Sequence, residues 1–271
     1  LPPPRQPHPV PAQPAPPAPP APPLPPPAPP CPPSPPLPPP APPGFDLHTC
    51  NSLVLVTGSN SYKHSCVLLR TGSAKCWGSG YFGELGYGDE MVRGDDPNEM
   101  GDHLPVIDLG TSSVDTEDPA PRALAVGSGH TCALLGAGKV KCWGRNQKGQ
   151  LGYGDKNDRG DNSDEMGDNL PAIDLGSGEA ASAVTAGALH TCALLDSGKV
   201  RCWGWNDQGQ LGHGGQLGRT DRGDNPNEMG DNLSIVDLGS GASISAIAAG
   251  WGHTCALLGA GKVKCWGDAG Y

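Results

Sequence analysis

Cysteines and histidines are the groups in this 271-residue chain best able to do chemistry, and eight of the ten cysteines fall in four copies of one hairpin. The copies read KHSCVLLRTGSAKCWG from Lys63, HTCALLGAGKVKCWG from His130, HTCALLDSGKVRCWG from His190 and HTCALLGAGKVKCWG from His253. In each copy the two cysteines are ten positions apart and symmetric about a Gly-containing turn, so Cys66 faces Cys76, Cys132 faces Cys142, Cys192 faces Cys202 and Cys255 faces Cys265. Directly opposed residues on antiparallel strands have Cβ atoms close enough to bridge. Disulfide staples are the expected chemistry, ahead of metal ligation, because zinc sites bring their ligands at much tighter spacing. Four staples imply an oxidising, extracytoplasmic setting.

A second set of candidates lies in three acidic insertions, GDEMVRGDDPNEMGD from Gly88, GDKNDRGDNSDEMGD from Gly154 and TDRGDNPNEMGD from Thr220. Carboxylates spaced by Gly and Asn in a turn can present oxygen ligands to calcium. The candidate ligands are Asp95, Glu99 and Asp102, then Asp161, Glu165 and Asp168, then Asp224, Glu228 and Asp231. The competing reading is a loop neutralised from within by Arg93, Arg159 and Arg222 through bidentate pairing. The Arg-Gly-Asp tripeptides recur at one repeat position, which reads as scaffold rather than adhesion motif. His130, His190 and His253 hold equal registers and read as structural hydrogen-bonding groups, since catalysis rarely needs its residue in triplicate. No nucleophile elbow, phosphate-binding glycine loop or metalloprotease helix is visible, so the chain reads as a non-enzyme that requires no cofactor. Trp77, Trp143, Trp203 and Trp266 follow the second cysteine of each hairpin and read as core. Trp205, Trp251, Tyr81 and Phe82 break the repeat and are the better candidates for a contact surface. Asn232-Leu233-Ser234 is an N-glycosylation pattern.

The elements that must position these groups repeat at intervals of 66, 60 and 63 residues between first cysteines. Such periods mark propellers or solenoids. One unit reads as an inner strand ALAVGSG, the stapled hairpin, a turn RNQKGQLGYG, an acidic loop and a closing strand LPAIDLG, and four short strands make a propeller blade. The combination GSGHTCALL…GKVKCWGRNQKGQLGYG resembles repeats of the regulator of chromosome condensation family, with His130, Gly138, Trp143, Gly144, Gly149, Gln150, Leu151 and Gly152 matching in the second unit and His190, Trp203, Gln210 and Leu211 in the third. That resemblance implies a propeller, seven-bladed in the family, whereas four hairpins here predict an incomplete or small ring. The fold expected is all-β, with blades over 44–271 and hairpins at about 63–78, 130–144, 190–204 and 253–267.

Prolines are segregated, 27 of 33 lying within the first 43 residues. Proline lacks the N–H that sheets and helices require, so residues 1–43 are expected to form an extended polyproline II arm. Its Ala-Pro-Pro and Ser-Pro-Pro runs resemble hydroxyproline-rich glycoproteins of green algal and plant cell walls. The resemblance implies hydroxylation and O-glycosylation, with candidates at Pro16, Pro17, Pro19, Pro20, Pro22, Pro23, Pro25, Pro26, Pro27, Pro29, Pro30, Pro32, Pro33, Ser34, Pro35, Pro36, Pro38, Pro39 and Pro40. Cys31 and Cys50 flank a stretch too stiff to bridge within one chain and are expected to pair between protomers. A formal charge of −10 disfavours nucleic acid, which demands a basic surface. No stretch is apolar enough to span a bilayer as a helix, and the chain from Leu1 carries no apolar leader, as a processed secreted protein would. Together these features predict an extracellular structural glycoprotein assembling into a wall, sheath or surface fibre. The alternative is a secreted binding module, lectin-like or enzyme-inhibiting, on a stiff proline linker.

Overall fold

A computed structural model describes residues 54–57, 63–110, 120–214 and 219–270. The arm over 1–43, with Cys31, every O-glycosylation candidate and also Cys50, lies outside the described residues. The chain divides into Leu1–Thr49 and Cys50–Tyr271, and all that follows concerns the second unit.

The hairpins form because β-branched and apolar residues populate both arms and a left-handed glycine, Gly138 at φ 72° in the second copy, returns the chain. The strands are β1 (Val54–Thr57), β2 (His64–Leu68), β3 (Ala74–Gly78), β4 (Pro121–Val126), β5 (His130–Leu135), β6 (Val140–Gly144), β7 (Ala181–Ala186), β8 (His190–Leu195), β9 (Val200–Gly204), β10 (Ile244–Ala249), β11 (His253–Leu258) and β12 (Lys262–Gly267). Each consecutive trio is one antiparallel sheet, so the architecture is all-β and blade-like, as expected. Register sets Cys66 opposite Cys76, Cys132 opposite Cys142, Cys192 opposite Cys202 and Cys255 opposite Cys265. Each pair is disulfide-bonded, with Cα atoms 4.1 Å apart. The first three pairs are fully buried, whereas Cys265 lies on the exposed strand β12. Among the described residues no helix is long and apolar enough to cross a membrane.

Blades are joined by one polar device used three times. His64 Nε2 meets Thr131 Oγ1 at 2.7 Å, His130 Nε2 meets Thr191 Oγ1 at 3.0 Å and His190 Nε2 meets Thr254 Oγ1 at 2.9 Å. Each of these hydroxyls donates to a carbonyl in the glycine turn of the preceding blade, Thr131 to Glu84 at 2.8 Å, Thr191 to Gln150 at 2.8 Å and Thr254 to Gln210 at 2.9 Å. The indole N–H groups of Trp143, Trp203 and Trp266 donate to the same three carbonyls at 3.1, 3.0 and 2.8 Å. A hydroxyl has one proton, and here it is spent on the carbonyl, so the histidine must donate from Nε2–H. His130 and His190 are thereby held as neutral tautomers whose Nδ1 atoms are buried without a hydrogen-bond partner.

The predicted closing strand is reduced to single contacts, and this corrects the four-strand reading. Ile107 N, Ile173 N and Val236 N donate to Ala74, Val140 and Val200 carbonyls, and Leu104, Leu170 and Leu233 bury their side chains beside them. The reason is local: Pro105 and Pro171 have no N–H to extend a ladder. In the third unit Ser234 replaces the proline, and an extra bridge appears there between Arg201 and Ile235.

Close approach explains the glycine of the GQLG turn. Gly152 has φ +80°, and a Cβ on it would lie 2.7 Å from Trp203 Nε1. Gly178 has φ +71° with nothing within 4 Å, so it isolates the conformational cost alone. Gly152→Ala is therefore expected to destabilise by about 3 kcal/mol and Gly178→Ala by about 1 kcal/mol. Urea midpoints of the two variants check this; equal midpoints would remove the steric argument.

Candidate functional site

The acidic loops come first, because they carried the only metal candidates. Glu99 Oε2 accepts from Gly94 N and Asp96 N at 2.7 and 3.1 Å, Glu165 Oε2 from Gly160 N and Asn162 N at 2.9 and 3.2 Å, and Glu228 Oε2 from Gly223 N and Asn225 N at 3.0 and 3.2 Å. Each glutamate thus closes its own loop. Asp224 pairs with Lys156 at 3.0 Å, and Asp231 accepts from Ser177 N and Oγ at 2.9 and 2.6 Å. Burial, then a hydrogen bond with Glu165, raises Asp161 to about 6, while hydrogen bonds from Asp161 and Asn162 outweigh burial and lower Glu165. Asp95, Asp102 and Asp168 are exposed, Asp168 within a 3₁₀ turn. Among the described residues no three such groups gather around a common point. The arginines do neutralise carboxylates, but with partners the spacing did not suggest: Arg93 grips Asp89 at 2.9 and 2.8 Å and Arg159 grips Asp155 at 3.0 and 2.8 Å, while Arg222 meets Glu228 at 3.3 Å. The Arg-Gly-Asp segments return to the sheet, since Arg93, Arg159 and Arg222 bridge Gly78, Gly144 and Gly204. With the three loop glutamates, Asp224 and Asp231 engaged internally, adding a calcium chelator is expected to leave the melting temperature unchanged, whereas a calcium-reversible drop would overturn this account.

The histidines are equally committed. Burial, reinforced by neighbouring histidines, pushes His130 down to about 3 and His190 to about 4. Neutral, enclosed and hydrogen-bonded to threonine, they have no access to a substrate. Trp143 and Trp203 are fully buried. A cleft of about 620 Å³ between the second and third blades is lined by Tyr153, Asp174, Pro226, Met229 and Asp231, but Asp174 accepts from Gly176 N at 2.9 Å and Asp231 is held by Ser177. Asn232 is exposed at the end of a 3₁₀ turn.

The aromatic residues that break the repeat lie at the edge where the inner strands turn into the hairpins. Backbone bonds from Ser128 N to the Ala188 carbonyl, 3.1 Å, and from Ala188 N to the Trp251 carbonyl, 3.2 Å, tie these turns together along one edge. Ser79, Arg145, Trp205 and Asp268 follow each Cys-Trp-Gly and occupy the same end of the sheets. The guanidinium of Arg145 lies over the Phe82 ring at 5.1 Å. Trp205 meets Trp251 edge to face, with centroids 5.2 Å apart and planes at 82°. Tyr81 is 61% and Trp251 47% exposed, while Trp205 is 9% exposed. The break in the repeat pattern had singled out all four aromatic residues. It did not reveal Arg145 or Asp268, whose place beside them depends on the neighbouring blade, nor the threonines of the interblade bonds.

Family models for the regulator of chromosome condensation (RCC1) repeat match residues 61–84, 122–150, 181–210 and 244–271 in one form and 137–194 and 197–257 in another, together more than half of the chain. This chain belongs to the RCC1 repeat family. It is 31% identical over 195 residues to the ultraviolet-B receptor UVR8 of Arabidopsis thaliana, a match covering 72% of this chain and 37% of the receptor. The E3 ubiquitin-protein ligase HERC2 of Homo sapiens is 29% identical over 209 residues, 77% of this chain and 4% of the ligase. Among solved structures, Prp20p of Saccharomyces cerevisiae, described with its binding to Gsp1p and histones, aligns with a TM-score of 0.53 at 20% identity, covering 76% of this chain and 42% of that one. The chain thus spans well under half the length of these relatives, and the structural likeness speaks for the fold alone.

These matches overturn the reading as an extracellular structural glycoprotein of a wall, sheath or fibre, and with it the extracellular placement. The relatives bear the names of a receptor, a ligase and a protein that binds a partner and histones, and none describes a wall component. The physical reason for the error lies in the cysteines. Directly opposed, buried cysteines pack as small apolar residues whether or not they are bonded, so their pairing reports strand register before it reports a redox compartment. Proline composition is a weak family marker for the same kind of reason: it dictates backbone shape, not partners.

Proposed function

We infer that this chain is a non-catalytic binding propeller that recognises a partner protein through the edge carrying Tyr81, Phe82, Trp205 and Trp251. The observation that carries this reading is the division of labour among side chains. Residues of the repeat, His130, Thr131 and Trp143 among them, spend their polar atoms on the neighbouring blade, whereas the aromatic residues that break the repeat collect at one edge and leave Tyr81 and Trp251 open to solvent. Exposed aromatic residues beside a cation are the composition of binding hot spots. Protein recognition by the RCC1-repeat protein Prp20p supports the same class of function.

The test is comparative capture from extract on the immobilised full chain. A Tyr81→Ala/Trp251→Ala variant should lose a protein that wild type retains, while an Ile235→Ser/Val263→Ser variant, exposed apolar positions elsewhere, should keep it. Identical capture by all three chains would refute the assignment of the face.

A further inference from the structure

Two of the joints between blades are built alike in backbone and differ in charge. Gly88 N donates to the Gly160 carbonyl at 3.0 Å, and Gly154 N donates to the Gly223 carbonyl at 3.0 Å. A Cβ on Gly83 would lie 2.2 Å from Asp161 N, and one on Gly149 would lie 2.3 Å from Asp224 N. In both joints, then, an Arg-Gly-Asp segment presses on the glycine turn of the blade before it. Between the second and third blades, two lysines of the second neutralise carboxylates of the third: Lys156 meets Asp224 at 3.0 Å and Lys148 meets Asp221 at 3.1 Å. The first blade carries Glu90 in the place of Lys156 and Phe82 in the place of Lys148.

In each joint the aspartate of the Arg-Gly-Asp segment touches the glutamate of its own loop, Asp161 against Glu165 and Asp224 against Glu228. Two carboxyl groups in contact need either a proton on one of them or a cation beside both. Lys156 is that cation in the later joint: burial opposes the charge on Asp224, and the bond from Lys156 overrides it, so Asp224 is lowered. Asp221 and Glu228 also act on the Lys156 ammonium. The earlier joint has no lysine at this point, and burial, then Glu165, raises Asp161 to about 6, with its Oδ1 atom buried and without a hydrogen-bond partner. The other charges around the pair are Asp158 and Arg159 of the same loop, Arg145 and, from the first blade, Glu90. Asp158 is raised as well, by burial first; the Asn146 N–H and Arg145 work against the rise, and Glu165 and Glu90 add to it.

We propose that the joint between the first and second blades is a proton-linked clasp, tightening when Asp161 takes up a proton and loosening when it ionises, while Lys156 holds the next joint closed throughout. A proton does in the first joint what an ammonium does in the second. The sign is fixed by where the proton binds better. Asp161 is raised in the closed joint above the value of an exposed aspartate, so the closed form gains as the pH falls from 7 toward 5. The buried histidines move the whole chain the other way, because they are lowered on folding. A local measurement at the joint therefore separates the clasp from global stability.

Native-state hydrogen exchange of the Gly88 and Gly154 amides, followed by NMR on the full chain between pH 7 and 5, tests it. The two amides make bonds of equal length in one molecule, so the ratio of their protection factors removes the intrinsic exchange rate and any change common to the whole chain. The Gly88:Gly154 ratio should rise about threefold on going to pH 5. Glu90→Lys, at an exposed position, should raise Gly88 protection at pH 7 and flatten the ratio, and Asp161→Asn, neutral at every pH, should flatten it too. Lys156→Glu, also at an exposed position, should transfer the pH dependence to Gly154. The carboxyl carbon of Asp161 should titrate at lower pH in Glu90→Lys than in wild type. A wild-type ratio that stays constant from pH 7 to 5, a rise that survives Asp161→Asn, or an Asp161 titration that Glu90→Lys leaves in place would each overturn the proposal.

Discussion

Lowering the pH from 7 to 5 is expected to cost the blades about 5 kcal/mol of stability. His130 sits at about 3, and His190 and His213 at about 4, each lowered chiefly by burial. The unfolded chain titrates near 6.5. Below 6.5 the unfolded state therefore binds protons that the folded state refuses, and stability falls with pH at about 1.4 kcal/mol per unit for each histidine until the folded value is reached. The structural cause is specific: in His130 and His190, Nε2–H is already donated to threonine, and a second proton would have to sit on a buried Nδ1 with nothing to accept it. Asp161 acts in the opposite sense, because its raised value lets the folded state take up a proton between about 6 and 4. Its carboxyl is only partly buried, so screening by solvent keeps the offset below about 1 kcal/mol. Total stabilities of domains lie around 5–15 kcal/mol, so a loss of this size is a large fraction of the whole.

Urea unfolding followed at a series of pH values gives the slope directly. His213 provides the internal control. It stands where the first two blades carry Tyr87 and Tyr153, whose hydroxyls accept from the backbone N–H groups of Cys76 and Cys142 at 2.9 and 3.2 Å and donate to the carbonyls of the same residues. His213→Tyr should reduce the pH slope by about a third, since it removes one of three titrating groups, and should raise stability at every pH below 6. A urea midpoint that does not move between pH 7 and 5 would show that these rings are not buried neutral in the folded chain.

How much of this could be read from the sequence depends on whether the cause is local. The hairpins could be, because mirror-symmetric Cys132 and Cys142 about a glycine turn fix register without reference to any other part of the chain. The aromatic residues that break the repeat could be singled out for the same reason. The closing strand was misread because LPAIDLG alternates like a strand, while the missing N–H of Pro171 limits it to one backbone bond. The acidic loops looked ligand-rich because sequence shows carboxylates but not the amides of Gly160 and Asn162 that Glu165 has already engaged. Thr191 was invisible as a keystone, since its partners His130 and Gln150 lie 61 and 41 positions away and come from two elements of the preceding blade. Function was furthest from the sequence: cysteine pairing and proline content constrain backbone geometry, whereas the proposed contact surface is assembled from four blades.

Replacing Trp203 by alanine should cost about 3–5 kcal/mol. The ring is fully buried in the cluster that contains Leu151, Leu195 and Val140, and its N–H donates to the Gln150 carbonyl at 3.0 Å. That carbonyl also receives Thr191, which in turn receives His130, so the indole shares an acceptor with the bond that joins the second blade to the third. Alanine removes the packing, opens a cavity where glycine at 152 cannot expand to fill it, and withdraws one of two donors from the shared carbonyl. Trp203→Phe keeps most of the volume and loses only the N–H, so about 1–2 kcal/mol is expected. Trp266 makes the corresponding bond to Gln210 at 2.8 Å but stands half-buried in the last blade, whose strand β12 faces solvent. Trp266→Ala should accordingly cost less than half as much as Trp203→Ala. Equal losses at the two positions would mean that the hydrogen bond, and not the burial conferred by a following blade, is what the tryptophan contributes.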